Sequence, residues 1–216
     1  MKKVMKKSQS PRGSLADIRQ GNEQQILDAA EHVFAERGYR GTTVAAIAEA
    51  VNLPKANVLY YFKSKEGLYK EVINRLLVLW MQHMNEMNAE QHPGDALPKY
   101  INNKIHQSRL HPNASRIFAA EVLHGAHYLR EPLQNELREQ YEQTCDVFRA
   151  WQEKGWLDPI DPEHMLFMLW SSTQAYADHG LQISILMKKE QLSDEDFAKG
   201  IELVTHVILK GCGVKL

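Results

Sequence analysis

The most constraining feature of the chain is a short apolar stripe that ends abruptly. Val44, Ile47, Ala48 and Val51 recur at i, i+3, i+4 and i+7, and Asn52-Leu53-Pro54 follows at once. A helix of barely two turns is not stable alone, so this stripe must pack against a neighbour. The neighbour lies just upstream, where Ile26, Leu27, Ala30, Val33 and Phe34 recur at the same spacing. Gly38 is placed to end that first helix as its C′ residue. Thr42 or Thr43 then caps the second helix. Asn52 tolerates the left-handed conformation of a tight turn, and Pro54 suits the first position of a third helix. That third helix can run only to about Phe62, because Ser64 caps a fourth with Glu66 in its first turn. Three short helices with a tight turn between the second and third describe a helix-turn-helix unit.

The rest of the chain keeps the helical period. A long fourth segment carries Leu68, Val72, Ile73, Leu76, Leu77, Trp80, Met81, Met84 and Met87, and His92-Pro93-Gly94-Asp95 breaks it. A fifth segment runs from about Leu97 to Leu110, and a sixth from Pro112 to near Gly125. A seventh opens at Glu131-Pro132 and ends at Gly155. An eighth runs from Pro162 to about Leu186, and Ser193 or Asp194 caps a ninth. No alternating strand pattern and no internal repeat interrupts this. The expectation is therefore an all-α chain of about nine helices, preceded by a flexible basic arm over residues 1–17.

Composition bounds the function. Residues 1–70 carry 12 Lys+Arg against 7 Asp+Glu, whereas the remainder carries 14 against 20. A basic first third on an acidic remainder points to a polyanion met only by the first third, although chance clustering of surface charge would look the same. The stretch 165–177 is too short and too polar to span a bilayer, and the basic start lacks the apolar run of a signal peptide. Cys145 and Cys212 form neither a close pair nor a metal-ligand spacing, which suits a reducing cytoplasm. The ten histidines show no metal-ligand pattern. No nucleophile–base pair or glycine-rich phosphate loop supports an enzyme, so neither catalytic residues nor cofactors are expected.

The exposed start of the third helix presents Lys55, Ala56 and Asn57. Lysine can donate to guanine, asparagine can pair with adenine, and alanine can touch a thymine methyl. Tyr60 and Tyr61 offer hydroxyls to phosphate oxygens. Lys63 and Lys65 flank the N-terminus of the fourth helix, and Thr43 stands at that of the second. A basic, aromatic turn is also compatible with a solvated corner.

The run TTVAAIAEAVNLPKANVLYYFKSKEGLY (residues 42–69) resembles the DNA-binding signature of the TetR family of one-component regulators. Gly38, Tyr39, Ile47, Ala48, Phe62 and Leu68 also stand where that pattern puts them. Departures occur at Val51-Asn52, where Ala-Gly is usual, and at Pro54, where a serine cap is usual; both bear on the entry angle of the third helix. The resemblance implies a DNA-binding domain over 18–66 and an effector-binding and dimerisation domain over 67–216. It further implies a homodimer on a palindromic operator, with the last two helices of each subunit forming a four-helix bundle. The residues suited to that interface are Leu181, Ile183 and Leu186, with Phe197, Ile201, Val204 and Ile208 on the ninth segment. These faces could equally cover the subunit's own core.

An effector pocket is expected among the middle helices. Phe167, Trp170, Ser171, Gln174 and Asp178 share one face of the eighth segment. Trp80 lies on the fourth segment and Glu121 on the sixth. Two tryptophans beside an amide could sandwich a flat ring and pair with its edge, or could simply be core. LWSSTQAYAD (169–178), SRIFAAEVLHGA (115–126) and PIDPEHMLFMLW (159–170) resemble the pyrimidine-utilisation branch of the family, which implies uracil or thymine as effector. The rival within the family is another small molecule, such as a fatty-acid derivative or a drug.

Overall fold

The computed structural model describes residues 15–84 and 87–215, and the expected arm lies, through residue 14, outside them. Eleven helical segments account for the described chain, and no strand is present among the described residues. They are α1 (Leu15–Gly41), α2 (Val44–Ala50), α3 (Lys55–Phe62), α4 (Lys65–Met84), α5 (Pro93–Leu110) and α6 (Pro112–Leu123). Then follow α7 (Arg130–Gln134), α8 (Glu136–Glu153), α9 (Pro162–Asp178), α10 (Gly180–Leu186) and α11 (Asp194–Gly211). None of these is long and apolar enough to cross a membrane.

Differences from the sequence-based expectation are local. The seventh expected segment is interrupted at Asn135 (φ −112°, ψ −96°) and the eighth at His179 (φ −113°, ψ 18°). Each break rests on one weak helix former inside a sound apolar pattern: an Asn, and a His followed by Gly180. Gly38 (φ 66°, ψ 170°) does break α1, although helical turns resume through Gly41. Met87 lies beyond the end of α4 and is buried in a separate core. Ser193 rather than Asp194 caps α11. Its Oγ accepts from Asp196 N–H, and the Asp196 carboxylate accepts from Ser193 N–H at 2.8 Å. Lys189, bonded to the same carboxylate, holds it well below the usual carboxylate range.

Two hydrophobic clusters organise the packing. The first joins α1, α2 and α3 to α4, with Ala114, Ile117 and Leu129 closing it from α6 and the loop beyond. The second is built from α5, α8, α9 and α11 around Trp151, Phe148 and Tyr100. Phe197 and Ile208 are buried in this second core, and Ile201 and Val204 are half-buried against it. Of the α11 residues expected at a dimer interface, Phe197 and Ile208 therefore serve the subunit's own core, whereas Ile201 and Val204 keep part of their surface outward. The exposed apolar side chains on that helix are instead Leu203 (61%) and Val207 (51%).

The α3–α4 corner depends on one glycine. A Cβ on Gly67 would stand 2.3 Å from the Phe62 carbonyl oxygen, so the end of α3 can approach the first turn of α4 only where no side chain intervenes. Gly67→Ala is expected to cost about 1–3 kcal/mol, the range for forced overpacking. Chemical denaturation of the variant measures it, and unaltered stability would show that the corner yields without strain.

A candidate nucleic-acid interface and a candidate effector chamber

The reading head is built by caps. Thr43 Oγ1 accepts from Ala46 N–H at 3.1 Å and caps α2, while Thr42 is buried and donates back to the Gly38 and Val33 carbonyls. At the other end of α2, Asn52 adopts φ 52°. Leu53 N–H bonds Ala48 C=O at 3.0 Å and Asn52 N–H bonds Glu49 C=O at 3.1 Å. This is the Schellman pattern, with asparagine in the place that glycine usually takes. Pro54 is the N-cap of α3, one residue before the position assigned to it from sequence.

Helix α3 buries Val58 and Phe62 and exposes Lys55, Ala56 and Asn57. The side chains that can reach base edges thus project from one free helix start. Tyr60 is 65% exposed, and Lys63 beside it bonds the Tyr60 carbonyl at 3.3 Å. Tyr61 is half-buried, packs on the first core and accepts from Asn22 Nδ2 at 3.4 Å.

Lys65 has a second task that the motif alone does not reveal. Its ammonium donates to the carbonyls of Tyr39 (2.9 Å) and Thr42 (3.0 Å) and lies 4.4 Å from the centre of the Tyr39 ring. These carbonyls belong to the irregular α1–α2 junction, so Lys65 ties that junction to the start of α4. Two of its three N–H groups are spent there, which leaves one for an external anion.

Between α4, α5, α6, α8 and α9 lies a chamber of about 650 Å³. Trp80, Phe167, Trp170 and Gln174 all line it. Trp80 meets Phe118 edge-on at 4.3 Å, and Phe167 stacks on Tyr141 at 5.6 Å and 10°. Trp170 Nε1–H donates to Tyr100 Oη at 3.0 Å, so the indole is fixed and its N–H is already used. Sequence reasoning missed Lys104, Tyr141 and Arg138 in the wall. Lys104 was hidden because α5 also carries Lys99 and Arg109, and nothing in the sequence marks one of these cations as the buried one. Arg138 is paired with Glu142 at 2.8 Å.

Three residues expected in the chamber do not line it. Ser171 is exposed and donates to the Phe167 carbonyl of its own helix. Asp178 sits behind the chamber, accepting from Ser115 Oγ. Glu121 faces the opposite side of α6: its carboxylate accepts from Tyr69 Oη–H at 3.0 Å and from Tyr128 N–H at 3.1 Å. Burial and this neighbouring carboxylate push the Tyr69 phenol up. Side chains four residues apart share a helix face only approximately, and the bend of the neighbouring surface decides which of them meet a cavity.

Exposed apolar side chains stand on α10 and α11, and also on other helices at Val78, Leu110, Leu123 and Met168. Leu181 (71%) and Leu186 (74%) are exposed, Ile183 is half-buried, and Ile185 is exposed beside them.

Residues 26–72 match the model of the bacterial regulatory proteins of the tetR family. Residues 73–215 match the C-terminal region of YcdC-like proteins. The chain belongs to the TetR family. It is 36% identical over 186 residues to the HTH-type transcriptional regulator RutR of Escherichia coli K12, covering 86% of this chain and 88% of that one. A shorter match, 44% over 48 residues (22% of this chain and 26% of the relative), links it to the biofilm operon icaADBC negative regulator IcaR of Staphylococcus aureus. Among solved structures, a putative transcriptional regulator of Streptomyces coelicolor aligns with a TM-score of 0.70 at 23% identity, over 89% of this chain and 98% of that one. A putative fatty acid metabolism regulator of Clostridium perfringens aligns with a TM-score of 0.64 at 26% identity, over 88% and 100%. The protein is a transcriptional regulator of this family and not an enzyme.

Removing the Lys65 ammonium leaves the Tyr39 and Thr42 carbonyls without their donor. Lys65→Met is expected to lower stability by about 1–2 kcal/mol, allowing for partial exposure of the pair. Urea denaturation checks this; an unshifted midpoint would reduce the clamp to a bystander.

Proposed function

We propose that this chain is a cytoplasmic, homodimeric repressor of a catabolic operon whose DNA affinity responds to a pyrimidine base, uracil or thymine. The observation that carries the reading is the chamber itself, whose lining brings together Trp80, Trp170 and the amide of Gln174. Aromatic walls suit a flat ring, and an amide complements one donor–acceptor pair of a uracil edge. The 36% identity to RutR, a pyrimidine-utilisation regulator, over most of both chains supports the same reading.

On the DNA side, Lys55, Ala56 and Asn57 read bases of a palindromic operator. Thr43, Tyr60, Tyr61, Lys63 and the remaining N–H of Lys65 hold phosphates. Two recognition helices must sit about 34–36 Å apart to address one face of the duplex, so dimerisation is mechanically required. The exposed apolar residues of α10 and α11 supply the surface for it. Helix α4 carries the signal. Lys65 and Trp80 stand fifteen residues apart on it, about 22 Å at the helical rise. A small swing of this rod changes the spacing of the two heads. Base binding shifts the equilibrium only through a difference in affinity between the two spacings.

A second reading, an oilier effector such as a fatty-acid derivative, draws on the size of the chamber. At about 650 Å³ it is roomier than a single six-membered ring requires. Calorimetry separates the two. Uracil or thymine should give saturable heat that Trp170→Ala abolishes, and no heat at millimolar base would sink the pyrimidine reading. In mobility shifts, Asn57→Ala should relax base preference, whereas a loss of affinity equal across all sequences would assign Asn57 to the backbone instead. Leu203→Glu combined with Leu186→Glu should shift sedimentation from dimer to monomer; an intact dimer would move the interface elsewhere.

A further inference from the structure

Trp80, Lys104 and Gln174 also border a second cavity behind the aromatic chamber, of about 10 Å³. Its serines are already committed. Ser108 Oγ donates to the Thr173 carbonyl at 3.1 Å, and Ser115 Oγ to the Asp178 carboxylate. Gln107, which also lines this cavity, is not committed in the same way: its Oε1 is a buried acceptor with no hydrogen-bond partner. Lys104 lies three residues earlier on α5 and shares its face. Its ammonium is buried 5.2 Å from the centre of the Trp80 ring, with Asp178 as counter-charge. Burial pushes the Lys104 ammonium down to about 8, against the opposing pull of Asp178.

A buried acceptor without a donor costs about 1–3 kcal/mol, and a buried cation requires a compensating oxygen or aromatic face. Lys104 and Gln107 thus offer a donor and an acceptor from one face of α5, and Trp80, Lys104 and Gln174 belong to the lining of both spaces. A volume of this size is far too small for a ring. A ring must therefore remain between the aromatic walls and push only an edge inward.

We propose that this annex is the specificity-determining subsite of the effector pocket. It takes a ring carbonyl oxygen on the Lys104 ammonium and the adjacent ring N–H on Gln107 Oε1, and so selects an acidic acyl N–H edge. The proposal rests on the pyrimidine reading above and adds the residues that discriminate within it. A charge-assisted bond strengthens as negative charge gathers on the acceptor oxygen. A more acidic ring N–H donates more strongly, so affinity rises with that acidity through Gln107 Oε1, whereas Lys104 adds a charge-assisted bond to the carbonyl oxygen of either base. Gln174, at the boundary of the two spaces, is left to pair with the remaining polar edge of the ring.

The test is calorimetry on the full chain with uracil and with 5-fluorouracil, whose fluorine makes the ring N–H more acidic at little cost in size. The wild-type protein is expected to bind 5-fluorouracil several-fold more tightly. Lys104→Gln, which keeps a donor but no charge, and Lys104→Met should weaken both bases several-fold, and in Gln107→Leu the ratio of the two affinities should approach one. Gln107→Leu should weaken both bases by about tenfold, as for a lost buried hydrogen bond. Thermal melts establish that each variant is folded, and Gln107→Leu carries the test if neither Lys104 variant is. Undiminished affinity in Lys104→Gln, or an unchanged ratio or undiminished affinity in Gln107→Leu, overturns the subsite and leaves the pyrimidine reading standing. Failure of the wild-type protein to bind either base overturns both.

Discussion

The reading head and the front of the body share one hydrophobic core, and α4 makes it continuous. Leu68, Val72, Ile73, Leu76 and Leu77 pack on one side against Ile26, Ala30 and Phe34 of the head. Ala114 and Ile117 of α6 belong to the same cluster. Native cores are packed at crystal-like density and deform little. Through this packing the chamber end of α4 and the head belong to one continuous body.

Polar bonds pin α4 at the head and in the middle, and ring contacts hold its far end. At the head, the Lys65 ammonium holds the carbonyls of the α1–α2 junction. In the middle, Tyr69 donates to Glu121 of α6. Near the far end, Trp80 rests on Phe118 of α6 and under the Lys104 ammonium of α5. Helix α6 therefore touches α4 twice, once beside the chamber and once beside the head. The Glu121 carboxylate contributes to this linkage rather than to the pocket wall. Buried and bonded to two elements outside its own helix, it fixes the angle between α4 and α6.

Much of the head was legible in sequence, because its conformations are local. Asn52 in the left-handed region and a threonine cap on α2 each follow from a residue and its near neighbours. The chamber was half legible. Trp80, Phe167, Trp170 and Gln174 meet there, since aromatic and amide groups at helical spacing point one way. Glu121, Asp178 and Ser171 did not follow the same logic, because a polar side chain on an apolar helix can serve either neighbour. Lys104 and Gln107 were invisible, because burial on α5 depends on how α9 and α11 close over it.

The sequence by itself determined the helical class, the position of the tight turn and the residues exposed at the start of α3. Those follow from periodicity and from the conformational preferences of Asn, Pro, Thr and Gly, which act over a few residues. Only the tertiary structure decided which face of α11 turns inward, which carboxylates leave the pocket, and that a buried ammonium and an unpartnered amide oxygen stand together behind the tryptophans. These depend on contacts between residues far apart in the chain, and helical spacing alone does not say which of two neighbours a shared face will meet.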